Sequence, residues 1–315
     1  MFDSYSKHFH TEIPLRPGAK YAHILVLRKT ESYAVFKTDG ELNTSQVKAG
    51  VQDDTNMSRL TIFKRKQTTP ERLTGREVLR RYGLLPDEDQ YNVNFTPDSP
   101  DSVIYGYAIG DTGSEKSKVY VDTAYSLSSY DDSHETMTLN APYEDGTMTR
   151  GSETTNRFSE QDHVKPEVYF PSVVSLRDPT PNGLAYVINN IRRTKRYGAQ
   201  TTRTGQVHNQ IVGLVFADGE IFSNLRLVQT MHDFIEADKG KTAESAMLES
   251  AQSLIRDDGV IFEMVVGETL ESELQTLDAI FTNEGQLTGF LTNLYEETKS
   301  YAERVADSGK KKKSK

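Results

Sequence analysis

Between Arg192 and Thr204 the chain places five cationic side chains, Arg192, Arg193, Lys195, Arg196 and Arg203, and no carboxylate. The formal net charge of the 315-residue chain is −9, so this block interrupts an acidic background and points to an anionic partner. Arginines bind phosphates, hydroxyls such as those of Thr201 and Thr202 add contacts, and a ring such as that of Tyr197 stacks on an unpaired base. These are the components of an RNA-binding surface. The same residues also read as a solvated helix end followed by a turn, and composition alone leaves both readings standing.

A second basic region runs from Arg59 to Arg81, with eight cations against two carboxylates, an excess of six. Other candidate chemistry is weaker. Gly110 to Ser117 resembles a phosphate-binding loop, but only two residues separate its glycines and no lysine follows the second, so the P-loop spacing fails. Asp131, Asp132, His134 and Glu135, and further on Asp162 and His163, offer oxygen and nitrogen donors for a metal or for acid–base work; such clusters more often form solvated loops. No Ser-His-Asp order, HExxH, GxSxG or kinase signature set is present, so catalysis has no positive support and no cofactor is expected. With no cysteine, disulfides, thiolate zinc sites and cysteine nucleophiles are excluded. The absence of an apolar N-terminal segment and of any run of about 18 apolar residues predicts a soluble, cytoplasmic protein with no membrane contact.

The elements that must position these residues are mixed. Residues 20–38 show two apolar runs about a polar turn, the pattern of a hairpin, and 40–56 reads as a loop. Arg59 to Lys66 is β-compatible; Thr74 and Glu77 form a capping box for a first helix that Gly83 closes. Val103 to Ile109 reads as a short buried strand, and 110–165 is irregular enough to suggest functional insertions. Strands are predicted at 167–176, 207–220 and 259–266. Helices are predicted at 183–193, from Ser223 to about Ile235, at 242–256 and through 270–306 with a break near Asn283 to Gly285. This gives an α+β fold: a single elaborated domain over 1–306, with insertions at about 40–57, 84–101 and 110–165, a mostly helical part over 223–306, and a disordered basic tail at 307–315.

Five stretches occur in order: PERLTGREVLRRYGLL, SVIYGYAIGDTGSEKSKV, LNAPYEDGTM, EQDHVKPEVYFPSVVSLRDPT and RRTKRYGAQTTRTGQVHNQIVGLVFADGEIFSN. Together they resemble the repeated backbone subunit, Csc-type and of the RAMP superfamily, of type I-D CRISPR-associated Cascade complexes, from about Pro14 to Asn224; the C-terminal third is less distinctive. The resemblance implies an RRM-like, ferredoxin-type antiparallel palm with large insertions. It also implies polymerisation along CRISPR guide RNA, pairing with target DNA through the guide, and contacts with further copies and with other Cascade subunits.

Carried onto this sequence, Arg192, Arg193, Lys195, Arg196 and Arg203 would contact phosphates, Tyr197 would stack, and Thr201 and Thr202 would bond to phosphate or 2′-hydroxyl; Arg59, Lys64, Arg65 and Arg76 form a second set. The stretch between Asn140 and Lys165 would be a thumb-like hairpin. Many relatives carry a cysteine-rich patch where this chain reads Asp98-Ser99-Pro100-Asp101-Ser102, so no structural zinc is expected there. Two other classes stay open: a metal-dependent RNA-cleaving backbone subunit of type III kind, using Asp111, Asp131 or Asp132, and a non-catalytic scaffold that binds acidic protein surfaces.

Overall fold

A computed structural model describes residues 1–110, 113–140, 142–144, 146–147, 149–150, 153–154 and 158–313. A 3-10 helix, Asp3–His8, precedes β1 (Tyr21–Thr30), β2 (Thr44–Lys48), β3 (Asn56–Ile62) and α1 (Lys64–Arg81). Next come α2 (Pro100–Tyr105), β4 (Tyr107–Ile109), β5 (Gly113–Glu115), β6 (Val119–Val121) and β7 (Ala124–Tyr125). The middle continues with α3 (Tyr130–Ser133), β8 (His134–Asn140), β9 (Thr149–Arg150), β10 (Glu153–Thr154), β11 (Phe158–Val164) and β12 (Tyr169–Arg177). The last third comprises α4 (Pro181–Arg193), β13 (Val207–Ala217), α5 (Asn224–Ala237), α6 (Ala243–Asp257), β14 (Phe262–Val265), α7 (Gly267–Phe281) and α8 (Glu284–Lys313).

A five-stranded antiparallel sheet of order β14-β13-β1-β12-β6 organises the molecule. Its centre, β1, is an almost unbroken apolar run because both faces are covered. Ala22, Ile24 and Val26 pack with α1, α4, α7 and α8, while Leu25 and Leu27 pack with α5 and α6. A smaller core, including Val35, Phe36, Leu60, Ile62, Phe170 and Tyr197, lies where β3 meets the segment after β1.

Several expectations need correction. The apolar runs of 20–38 do not form a hairpin: β1 takes its partners from β12 and β13, and Ala34 instead bridges to Val164. β1 is a central strand with a partner on each edge, and a single local turn supplies at most one. Residues 40–56 are not all loop, since Thr44 to Lys48 pairs with Asn56 to Leu60. The first helix starts at Lys64, ten residues before Thr74; Gln67 anchors its first turn by donating from Nε2 to the carbonyls of Ile62 (2.9 Å) and Asp122 (2.8 Å). That anchor is tertiary and has no local signature.

The expected strand 103–109 begins as helix α2. Ser99 accepts from the Ser102 amide, Pro100 occupies the first turn and Asp101 suits the helix dipole, so the helix-start signal was present in Ser-Pro-Asp. α8 continues to Lys313 where the sequence suggested a disordered tail from 307, and residues 314–315 lie outside the described residues. Where a thumb-like hairpin was expected between Asn140 and Lys165, β11 pairs with β8, which mostly precedes that stretch, and β9 pairs with β10 between them.

Candidate nucleic-acid interface

Helix α4 delivers the basic block. Thr180 caps it by accepting from the Gly183 amide, Pro181 opens it, and its apolar residues are buried, leaving Arg192 and Arg193 in the last turn. The chain turns out of the helix at Thr194 and runs back along α1. Thr194 Oγ1 lies 3.0 Å from Thr74 Oγ1, and three residues later the Tyr197 hydroxyl donates to Glu71 Oε1 at 3.0 Å. Each step approaches the N-terminus of α1, where Lys64 and Arg65 stand. The two helices meet closely: a Cβ on Gly75 would lie 2.4 Å from Asn190 Nδ2 and 2.6 Å from the Tyr186 hydroxyl.

A closed loop follows. The Tyr197 amide donates to the Gly205 carbonyl at 2.9 Å, and the Gly205 amide to the Tyr33 carbonyl at 2.8 Å. Gly205 sits at φ 84°, and a Cβ there would fall 2.1 Å from the Tyr197 carbonyl oxygen, so only glycine closes the loop. The amides of Arg203 and Thr204 both donate to the Gln200 carbonyl, which makes the tip a tight turn with Thr201, Thr202 and Arg203 exposed. Arg203 donates to Gln200 Oε1 through Nε (3.2 Å) and Nη2 (2.9 Å), and Arg196 donates to the Thr204 carbonyl at 3.2 Å.

Three residues expected to touch RNA are buried. Tyr197 is 1% exposed and cannot stack on a base; its hydroxyl also accepts from Arg28 Nη1 (3.2 Å) and Asn209 Nδ2 (2.8 Å). Arg28 and Glu71 form a fully buried ion pair at 2.8 Å beneath it, so the ring is an anchor for the loop. Arg59 is fully buried and donates to the carbonyls of Ala49, Ser126 and Leu127 at 2.6 to 2.7 Å; burial lowers its pKa to about 10. The Arg76 side chain bonds to Asp101 (2.7 Å) and Asp89 (2.5 Å), and Arg72 makes a two-pronged contact with the same Asp101 at 2.7 and 2.9 Å. The stretch from Asp98 to Ser102 thus supplies a carboxylate, Asp101, that pairs with two α1 arginines. A basic count along the sequence could not separate these structural cations from surface ones.

Arg192 is half-buried and paired with Asp278 of α7 at 2.7 Å. Arg193 donates to Asn189 Oδ1 (2.7 Å) and the Phe281 carbonyl (2.8 Å), which hold its position without removing its charge. Among the described residues no carboxylate lies in ion-pair contact with Lys64, Arg65, Arg193, Lys195, Arg196 or Arg203. All six were expected to contact RNA, and the sequence reading omitted Lys66, the third cation of the same run. The Lys66 ammonium is lowered in pKa by partial burial and by neighbouring Arg65, against the pull of Asp39.

The start of α1 is electrostatically unusual. Phe63 at its N-cap makes no side-chain capping bond, the first turn holds no acid, and Lys64, Arg65 and Lys66 sit where the helix dipole is positive. An anion there would be attracted by the cations and by the helix dipole together. Beside it a cleft of about 220 Å³ is lined by Lys64, Arg65, Thr68, Thr69 and Tyr91.

The acidic candidates do not converge. Glu135 accepts from the Tyr33 hydroxyl (2.8 Å), Asp132 from Ser129 Oγ (2.6 Å) and Asp162 from Thr136 Oγ1 (2.5 Å); His134 stacks on Tyr130, and His163 bonds to the Gln161 carbonyl. Among the described residues no group of three His, Asp or Glu side chains is placed to hold a metal ion. Asp111 lies outside the described residues. Among the described residues no helix is long and apolar enough to cross a membrane.

The family model for Csc2 Crispr matches residues 8–291. The chain belongs to the Csc2 CRISPR family. The match extends well into the C-terminal part that the sequence motifs left undistinguished. The crystal structure of Thermofilum pendens Csc2 is similar at a TM-score of 0.65 and 16% identity, covering 97% of this chain and 94% of that one, which establishes a shared fold. A chain of a CRISPR RNA-guided surveillance complex gives a TM-score of 0.49 at 12% identity, covering 78% of this chain and 89% of that one. No curated protein matches. Between α4 and the start of α1, Lys64, Arg65, Arg193, Lys195, Arg196 and Arg203 are exposed and have no ion-pair partner among the described residues.

Proposed function

We propose that this chain is a non-catalytic backbone subunit of a type I-D Cascade complex, which polymerises along CRISPR guide RNA and presents it to target DNA. The observation that carries the reading is the strip of Lys64, Arg65, Arg193, Lys195, Arg196 and Arg203, free of carboxylate partners in an acidic member of the Csc2 family. Phosphate contacts of this kind hold a strand without reading its sequence, as a subunit must if the guide supplies recognition by pairing.

The order β13-β1-β12-β6, with α1 and α4 on one face, is that of a split βαβ and supports an RRM-like, ferredoxin-type palm. The face on which such a sheet would stack bases is covered here by α5 and α6. RNA therefore runs along the loop edge rather than across the sheet. The β8–β11 hairpin is the element proposed to reach the next copy. Repeated head-to-tail contact then builds an open filament with other Cascade subunits at its ends. For cleavage of the type III kind, Asp131 and Asp132 occupy the first turn of α3 with no third ligand close by among the described residues, and Asp111 lies outside them.

RNA-dependent assembly tests this directly. Sedimentation of the protein with a guide RNA should give species that grow with RNA length, and Arg193→Glu/Arg196→Glu should abolish them. Assembly independent of RNA, or unaffected by the double substitution, would favour the protein scaffold.

A further inference from the structure

With Tyr197 buried, the strip lacks the aromatic that the sequence assigned to it. We infer that Phe63 fills that place, as a stacking platform for an unpaired base of the bound RNA. The inference rests on the RNA-binding reading above and adds to it a contact that carries no charge.

Phe63 is 42% exposed, more than any other aromatic among the described side chains. The alternatives nearby are committed: the Tyr33 hydroxyl donates to Glu135, and the Tyr91 ring lies 5.1 Å from the guanidinium of Arg72. A single exposed apolar residue is ordinarily unremarkable. Phe63 differs in its neighbours and its mounting. It directly precedes Lys64 and Arg65, two cations with no ion-pair partner among the described residues, and adjacent Cα atoms are about 3.8 Å apart, so ring and charges address one nucleotide. Its backbone is fixed. Ile62 before it is buried, and the Lys66 amide donates to the Phe63 carbonyl at 2.8 Å, so the ring is presented from a rigid strand-to-helix junction. Stacking on such a ring is tolerant of sequence, because every base has a π-face.

The chain contains no tryptophan, so Phe63→Trp would carry the only indole in the protein. Its emission should be quenched by saturating base-bearing single-stranded RNA and left unchanged by an abasic strand of equal length. In parallel, Phe63→Ala should weaken binding of base-bearing RNA by roughly tenfold, with affinity for the abasic strand and the salt slope unchanged. Equal emission with both strands, or an alanine variant that binds base-bearing RNA like the unsubstituted chain, overturns the inference and leaves the phosphate contacts standing. Equal weakening towards both strands would mark Phe63 as structural and likewise overturns it. If the unsubstituted chain binds neither strand, the RNA reading itself fails.

Discussion

Glu71→Gln isolates the charge that holds the loop after α4 in place. Glutamine keeps the volume and an oxygen able to accept from Tyr197, but leaves the fully buried Arg28 guanidinium without its counter-charge at 2.8 Å. Arg28 Nε and Nη2 already have no partner among the described residues, so nothing nearby replaces the carboxylate. At an effective dielectric of about 20 the Coulomb attraction at that distance is roughly 6 kcal/mol, and measured losses on removing one member of a buried pair are about 3–5 kcal/mol. Against a typical domain stability of about 5–15 kcal/mol, the substitution should remove a large part of the total. Urea unfolding followed by circular dichroism measures it. Arg28→Met/Glu71→Leu, which removes both charges, should recover most of the loss. A Glu71→Gln loss below about 1 kcal/mol, or a double variant no better than the single one, would refute the claim that charge rather than packing governs this site.

Other outcomes follow from particular contacts. His23 is buried between Ser175 and the Gly219 carbonyl, and desolvation lowers its pKa from 6.5 to about 4. The folded state therefore resists its protonation, so stability present above pH 6.5 should fall by roughly 1.4 kcal/mol per pH unit as pH drops towards 4. His23→Gln should flatten that part of the urea-midpoint profile. Gly75→Ala pushes a methyl group against Asn190 and Tyr186 and should cost about 1–3 kcal/mol in urea melts; an unchanged midpoint would mean that α1 and α4 can separate freely. Arg192→Ala should leave the salt dependence of RNA binding as it was, because Asp278 already neutralises that arginine, whereas Arg196→Ala should reduce the slope by roughly 0.7.

Where capping and periodicity are local, the sequence was legible. Thr180-Pro181 before an apolar stripe, Ser223 before α5 and Thr242 before α6 each begin a helix as their chemistry requires. β13 and the basic block after α4 were equally plain. The pairing of β1 was not, since both partners lie more than 100 residues away and nothing in its own run distinguishes them from a hairpin mate. Part of the site was misread for a related reason. The charge of Arg59 looks the same in sequence as that of Arg65, but three carbonyls from two distant segments enclose one and leave the other in water. Likewise, Tyr197 looks like a stacking ring until Arg28, Glu71 and Asn209, from three other elements, converge on its hydroxyl.

The central claim, that a carboxylate-free cationic strip holds RNA by its phosphates, is tested most directly by the slope of log affinity against log salt for single-stranded RNA. Six open cations set an upper slope of about −4 at roughly −0.7 per contact, so Lys195→Ala/Arg196→Ala should bring it down by about 1.4. A steep slope that is reduced in this variant and unchanged in Arg192→Ala is the result predicted here. Affinity that stays flat between low and moderate salt, or a slope indifferent to Lys195 and Arg196, would contradict it.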